Sequence, residues 1–351
     1  MKLLPRIRIS GESFLLNEIA KIASVKLQQN LKDWERDFWL FASEWFDEND
    51  FVAVKTSGST GEPKSIQLPK MVMQKSAERT INYFKLKKGD HLLQSLSGQY
   101  IAGKMMFVRA IVGQMNLSVV DPSTDFSFLD TEKFDFGALV PLQVSNILST
   151  EMGTNRVENI KYLLVGGSAV PVQLESKIRQ LKNNVVSTYG MTETASHIAV
   201  RTLSGSNYSE NYHCLHDISI RKNEEDCLEI LPEEQNKWLS TTDLVEIISP
   251  TEFKIIGRAD YAIISGGLKF HPEKLEYKLE KYLQMPFMIT SEPDEKLGQK
   301  LILKIEGNYS VDVKDELQQK IESLLTGYEC PRKIVFVNRL PRNENGKIIR
   351  R

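Results

Sequence analysis

The stretch FVAVKTSGSTGEPKS, Phe51–Ser65, runs a short β-branched strand straight into a loop of glycines and hydroxyls. Such a junction can present several backbone N–H groups to a phosphate. Gly58 and Gly61 permit close approach and unusual φ angles. The hydroxyls of Thr56, Ser57, Ser59 and Thr60 can donate to phosphate oxygens, and Lys64 supplies a compact cation. The Walker pattern GxxxxGK[ST] is not met, because Pro63 stands before Lys64 where glycine is required. A P-loop kinase or GTPase is therefore disfavoured. A flexible surface linker is the competing reading of the same residues.

Outward from this loop the pattern is one of alternation. HLLQSL, LSVV, GALV, YLLVGG and NVVSTYG read as short strands. Stretches near 70–85, 101–113, 141–149 and 171–182 read as helices between them. This order predicts an α/β fold with a large layered domain. Ahead of the loop, residues 12–46 read as helical, with Trp34, Phe38, Phe41 and Trp45 as a core stripe. Strands near 218–230 and 244–256 read as antiparallel. The character changes at IIGRAD, residues 255–260. PEKLEYKLEKYL is a helix opened by Pro272, with Leu275, Leu279 and Leu283 on one face. LILKIEG and KIVFVN read as strands around a second helix, VKDELQQKIESLL. The expected division is a domain over 1–257 and a small α+β domain over 258–351.

Composition narrows the class. Of 351 residues, 41% are hydrophobic, and 45 basic residues balance 46 acidic ones to a net charge of −1. That suits a folded chain with a sizeable core and gives no support to bulk polyanion binding. No run of about 18 apolar residues exists, so no membrane span is expected. The N-terminus has no signal-peptide pattern, and Cys214, Cys227 and Cys330 form no CxxC pair. The cytoplasm is the expected compartment.

Further motifs follow the loop in order. YLLVGGSAVP places Gly166, Gly167, Ser168 and Ala169 after an apolar strand. STYGMTETAS covers residues 187–196. WLSTTDLVEI and IIGRAD carry Asp243 and Arg258. GRADYAIISGGLKFHPEKLE spans 257–276, and LPRNENGKIIR carries Lys347. Together with TSGSTGEPK, these segments resemble the acyl- and aryl-CoA ligase superfamily of adenylate-forming enzymes, over about residues 50 to 351.

The resemblance implies roles. The loop Thr56–Gly61 with Lys64 would hold phosphates, and the Gly166–Ala169 turn would contact adenine and the acid. Tyr189 would stack on adenine, with Gly190 and Met191 beside the nucleotide and the Thr192 hydroxyl on phosphate. Glu193 would be the Mg²⁺ ligand, a hard oxygen donor held against phosphates. Asp243 would accept from both ribose hydroxyls, and Arg258 would contact the nucleotide. Asp260 would be a hinge, and Ser265, Gly266 and Gly267 would line the path of the CoA thiol. Lys347 would be the catalytic lysine. Three departures stand out. Thr241-Thr242 replaces the usual Thr-Gly before the aspartate, Tyr100 falls at a histidine position, and only 55 residues precede the phosphate loop. The last implies a shortened N-terminal domain, with some surface absent or supplied by a partner subunit.

Within the superfamily, MTETAS and residues 257–276 look most like o-succinylbenzoate–CoA ligases of menaquinone synthesis. That implies a small carboxylic acid, ATP and CoA as partners, with Mg²⁺, and no nucleic acid or membrane. A homo-oligomer stays open. Lys104 and Arg109, at i and i+5, either bind a second substrate carboxylate or are exposed helix charges. His197 and Arg201 carry the same two readings. Other aryl- or fatty-acid–CoA ligases, a carrier-loading adenylation enzyme and an inactive nucleotide-binding protein remain as alternatives.

Overall fold

The computed structural model describes residues 6–55, 65–123, 125–280, 282–283, 285–307, 311–342 and 348–350. The loop residues Thr56, Ser57, Gly58, Ser59, Thr60, Gly61 and Lys64 lie outside the described residues, as does Lys347. The chain divides into two compact units. The first holds Met1–Val170, Leu174–Ser219 and Leu231–Lys237, and the second Pro171–Gln173, Ile220–Ile230 and Trp238–Arg351.

Through the first part of the chain run strands β1 (Arg6–Ile9), β2 (Glu12–Leu15), β3 (Phe51–Lys55), β4 (Ser65–Pro69), β5 (His91–Gln94), β6 (Asn116–Val119), β7 (Phe134–Leu139), β8 (Ile160–Val165), β9 (Asn184–Gly190), β10 (His197–Thr202) and β11 (Tyr212–Cys214). Helices α1 (Ile19–Lys26), α2 (Asp33–Trp45), α3 (Lys70–Phe84), α4 (Ile101–Gly113), α5 (Pro141–Leu148), α6 (Gly153–Glu158) and α7 (Val172–Ile178) alternate with them. The expected α/β architecture is what forms. The sheet order is β11-β10-β9-β8-β7-β5-β6-β1-β2. Neighbours from β9 through β8, β7, β5 and β6 to β1 pair in parallel, while β10 runs antiparallel to β9. Burial on both faces explains why Phe134–Leu139 is nearly all apolar. The order reverses about β5, which has β6 on one side and β7 on the other. In open α/β sheets a ligand crevice forms at the carboxyl ends beside such a reversal.

Residues 12–46 are not one helix. β1 and β2 form a hairpin with Arg6 opposite Leu15, turning through Ser10 and Gly11, both at positive φ (45° and 87°). Pairing of Ile9 with Leu117 on the sheet edge outweighs the local helical pattern. Helix then resumes as α1 and α2. The aromatic stripe does enter the core through Phe38 and Phe41, both edge-on to the fully buried Phe107 of α4. β3 and β4 form a separate antiparallel pair, Lys55 opposite Ser65, with Val52 and Val54 fully buried.

Further strands are β12 (Ile218–Lys222), β13 (Cys227–Pro232), β14 (Leu239–Ser249), β15 (Glu252–Arg258), β16 (Ile263–Ser265), β17 (Leu268–Phe270), β18 (Phe287–Asp294), β19 (Gly298–Glu306) and β20 (Lys333–Val337), with helices α8 (Pro272–Glu280) and α9 (Val311–Leu324). β13, β14 and β15 are antiparallel, as their sequence suggests. β18 pairs antiparallel and β20 parallel with β19. Leu275, Leu279, Leu303, Ile305 and Ile321 share one core.

Phe107 joins α2 to α4 beneath the sheet. Phe107→Ala is expected to destabilise the chain by about 3–5 kcal/mol in urea unfolding, because the cavity cannot collapse between three edge-packed rings.

Candidate active site

In the first unit Gly167, Ser168, Tyr189, Gly190, Thr192 and Glu193 lie at the carboxyl ends of β8 and β9, which are paired neighbours with Val165 opposite Ser187. Gly166 and Gly167 leave β8 in a tight turn, Gly167 at φ 87°. A Cβ on Gly166 would lie 2.2 Å from Thr188 Oγ1, so only glycine lets this turn lie against β9. Ser168 follows it, half-buried. Tyr189, half-buried, and Gly190 end β9. A Cβ on Gly190 would meet Ser196 O at 2.2 Å. Met191 is extended, and Thr192–Thr194 form one helical turn that projects Glu193. Buried Thr194 fixes this turn. Its Oγ1 accepts from Met191 N at 3.1 Å and lies 2.7 Å from Ser196 O. Gln235 Nε2 donates to Glu193 O at 3.1 Å. The half-exposed Glu193 carboxylate has no hydrogen-bond or ionic partner among the described residues.

None of the four nominated basic groups is exposed: Arg201 is partly buried and the other three are buried outright. Lys104 is 7% and Arg109 2% exposed, and His197 is 6% exposed. Lys104 Nζ lies 3.4 Å from Glu44 and 4.3 Å from the Phe41 ring centre. Burial outweighs the Glu44 charge and pulls this ammonium below its usual value. Arg201 is committed to Glu175 through two bonds, of 3.1 and 2.6 Å. Arg109 differs from both. Its Nη2 donates to Ser196 Oγ at 2.6 Å and lies 3.5 Å from His197 Nδ1, and its Nη1 faces Met106 Sδ. Its Nε is buried with no partner, and no carboxylate pairs with it among the described residues. Burial pulls this guanidinium down to about 9, which leaves it cationic at neutral pH.

His197 completes the cluster. Its Nε2 lies 3.4 Å from Thr80 Oγ1, and its Nδ1 lies 3.1 Å from Ser196 Oγ. Burial first, then the charges of Arg109 and Arg79, push the imidazole well below its usual value of 6.5. Arg79 is neutralised by a bidentate pair with Glu234, at 2.7 and 2.8 Å. The expectation of exposed helix charges at 104 and 109 fails because α4 lies inside the unit, with most of its residues buried. Thr80, Ser196 and Gln235 were not singled out from sequence. A lone threonine, serine or glutamine carries no spacing signal, and only the fold brings them to His197, Arg109 and Glu193.

In the second unit, Asp243 on β14 stands opposite Arg258 on β15, with Arg258 Nη1 3.3 Å from Asp243 Oδ1. Arg258 also forks onto Asp260, at 3.0 and 2.9 Å, and donates to Thr242 Oγ1. Thr242, at the position where glycine was expected, thus receives a bond from the arginine instead of disturbing a turn. Gly266 and Gly267, at φ 57° and 81°, make the two-residue turn between β16 and β17 beside Ser265.

Among the described residues no three acidic, histidine or cysteine side chains converge on a metal position. The donor on offer at this turn is the carboxylate of Glu193. That set fits Mg²⁺ held chiefly through phosphate oxygens, and does not fit an ion caged by protein alone.

The buried His197 predicts a pH dependence. Its folded-state affinity for a proton is depressed, so the unfolded chain binds more protons below pH 6.5. Stability is therefore full above that pH and falls as pH drops through it, with His197 contributing at most about 1.4 kcal/mol per pH unit. Urea unfolding of His197→Gln between pH 7 and 5 is expected to show a shallower decline than the parent. An unchanged slope would mean that His197 is already protonated in place.

Residues 9–217 match the AMP-binding enzyme family model, and residues 289–347 match the AMP-binding enzyme C-terminal domain. The chain is similar to the 2-succinylbenzoate–CoA ligase of Lactococcus lactis, 25% identical over 340 residues, covering 88% of this chain and 72% of the relative. It is similar to the probable 2-succinylbenzoate–CoA ligase of Mycobacterium tuberculosis, 24% identical over 335 residues, with 89% and 85% covered. Among solved structures it resembles an AMP-forming acyl-CoA synthetase/AMP-acid ligase II-like protein from Dyadobacter fermentans, at 34% identity and TM-score 0.62, covering 92% and 94% of the two chains. It shares its fold with the o-succinylbenzoate CoA synthetase of Bacillus subtilis in complex with the acyl-adenylate intermediate, at 22% identity and TM-score 0.72, with 85% and 67% covered. No helix of the described residues is long and apolar enough to cross a membrane. The family match spans most of the sheet on which the β8 and β9 turns are built, and the chain belongs to the AMP-binding enzyme family.

Proposed function

We propose that this chain is an ATP-dependent acid–thiol ligase, and that its acid is o-succinylbenzoate or a close dicarboxylate. The carrying observation is the buried Arg109, a cation with no acidic partner among the described residues. Its bond to Ser196 ties it to the segment that also carries Glu193. A buried charge left unpaired is costly, and a substrate carboxylate would relieve that cost. Lys104 and Arg201 already have Glu44 and Glu175, so Arg109 with neutral His197 is the group of choice. The names of the curated relatives support the same acid.

The chemistry follows from charge. A carboxylate oxygen of the acid attacks the α-phosphorus of ATP, the new P–O bond forms, and pyrophosphate leaves. The loop Thr56–Gly61 with Lys64 holds the phosphates, Thr192 donates to them, and Lys347 offsets charge at the α-phosphate. When bound at Glu193, Mg²⁺ supplies positive charge against the phosphate oxygens. The CoA thiolate then attacks the acyl carbon and AMP departs. Tyr189 carries the adenine beside the Gly167–Ser168 turn, and Asp243 with Arg258 binds the ribose side. Ser265, Gly266 and Gly267 line the thiol path. A swivel near Gly257 and Asp260 separates residues 1–257 from 258–351 between the two half-reactions.

ATP–pyrophosphate exchange with a panel of acids tests this reading. The expected kcat/KM for o-succinylbenzoate exceeds that for its analogue lacking the benzoate carboxylate by about 10²-fold or more, since the analogue leaves Arg109 unpaired. Arg109→Gln should shrink that ratio to within about tenfold. A ratio near one in the parent, or a rise with chain length at about 0.8 kcal/mol per methylene, would make it a general acyl-CoA ligase instead.

A further inference from the structure

Arg201 was a candidate for the acid, yet its surroundings point elsewhere. On β9 and β10, Ser187 stands opposite Arg201 and Tyr189 opposite Ala199. Side chains two apart on a strand share a face, so Ser187, Tyr189, Ala199 and Arg201 lie on one side of the sheet. The β10–β11 register, with Ala199 opposite Cys214 and Val200 opposite His213, carries the row on to Tyr212.

The contacts bear this row out. Tyr212 Oη lies 3.0 Å from Ser187 Oγ, and its ring centre is 5.9 Å from that of Tyr189 at a tilt of 60°. Arg201 sits 5.8 Å from the Tyr212 ring centre. On its other side it forks onto Glu175, and a further bond of 3.3 Å reaches Ser209 O. The ion pair is largely buried, with side chains 12% and 11% exposed. A bidentate pair in such a setting fixes the guanidinium plane.

We infer that Arg201 is a positioning residue for the nucleotide and not a ligand of the acid: anchored by Glu175, it holds Tyr212 against Tyr189 and fixes the ring on which a purine stacks. The inference rests on the adenylating function proposed above. A ring held in one orientation before binding loses little freedom when the base arrives, so loosening it weakens nucleotide affinity without touching the reacting atoms.

The test is a calorimetric ATP titration of the full chain and its variants, with KM for the acid measured by exchange. Arg201→Met should weaken ATP binding by about tenfold and leave KM for the acid within about twofold. Tyr189→Ala should weaken it similarly, and adding Arg201→Met to Tyr189→Ala should cause no further loss. Tyr212→Leu keeps the Glu175–Arg201 pair and should reproduce the Arg201→Met loss, so the question is answered even if Arg201→Met does not fold. Tyr212→Phe, which keeps the ring, should stay close to the parent. Unchanged ATP affinity in folded Tyr212→Leu, additive losses in the double variant, or a raised KM for the acid would overturn the inference while the adenylating function stands. A parent chain that binds no ATP would overturn both.

Discussion

A guanidinium without a counter-charge among the described residues is the constraint on which this account of the first unit rests. Arg109 is 2% exposed, and what surrounds it is neutral: Ser196, Met106, the imidazole of His197 and the face of Phe136. Two arginines approach this spot, and they are treated differently. Arg79 is answered by Glu234 through two short bonds. Arg109 receives no carboxylate among the described residues, and its Nε has no partner. Burial first, and the two arginine charges after it, push His197 away from its protonated form. A chain selected for stability alone would fill such a position with an apolar side chain.

The sheet explains why this cluster lies beside the β8 and β9 turns. β8 and β9 are parallel neighbours, and each ends in a glycine-dependent turn. Gly166 packs on Thr188, and Gly190 packs on Ser196. Ser196 is therefore held by its backbone against the end of β9 and by its hydroxyl against Arg109. Five residues, Met191 to Ala195, separate the strand from this contact and carry Thr192 and Glu193. The groups proposed to face the phosphates and the acid are thus joined by one short turn, which Thr194 and Gln235 hold from within.

Much of this was legible in the sequence, for physical reasons. Strands buried on both faces, such as Ile160–Val165, are apolar runs, and helices such as Lys70–Phe84 keep their period. The glycines of the β8 and β9 turns are visible because no other residue fits there. Three features were hidden. The β1–β2 hairpin is imposed by pairing with β6, which no local pattern in residues 12–15 announces. β18, SEPD at its end, carries charges that mask a strand. Lys104 and Arg109 look like solvated charges, because helix spacing cannot tell a surface helix from an enclosed one. Their difference, one paired with Glu44 and one not, depends on a side chain sixty residues away in sequence.

The most direct test of this account is the unfolding free energy of ligand-free Arg109→Met against the parent. If Arg109 is kept for a bound anion, the variant should be more stable by about 1–3 kcal/mol in the absence of any acid, since a buried charge is exchanged for an apolar side chain of similar reach. A loss of about 2 kcal/mol or more would contradict the account, because Arg109 would then be a structural group whose partners the fold already provides.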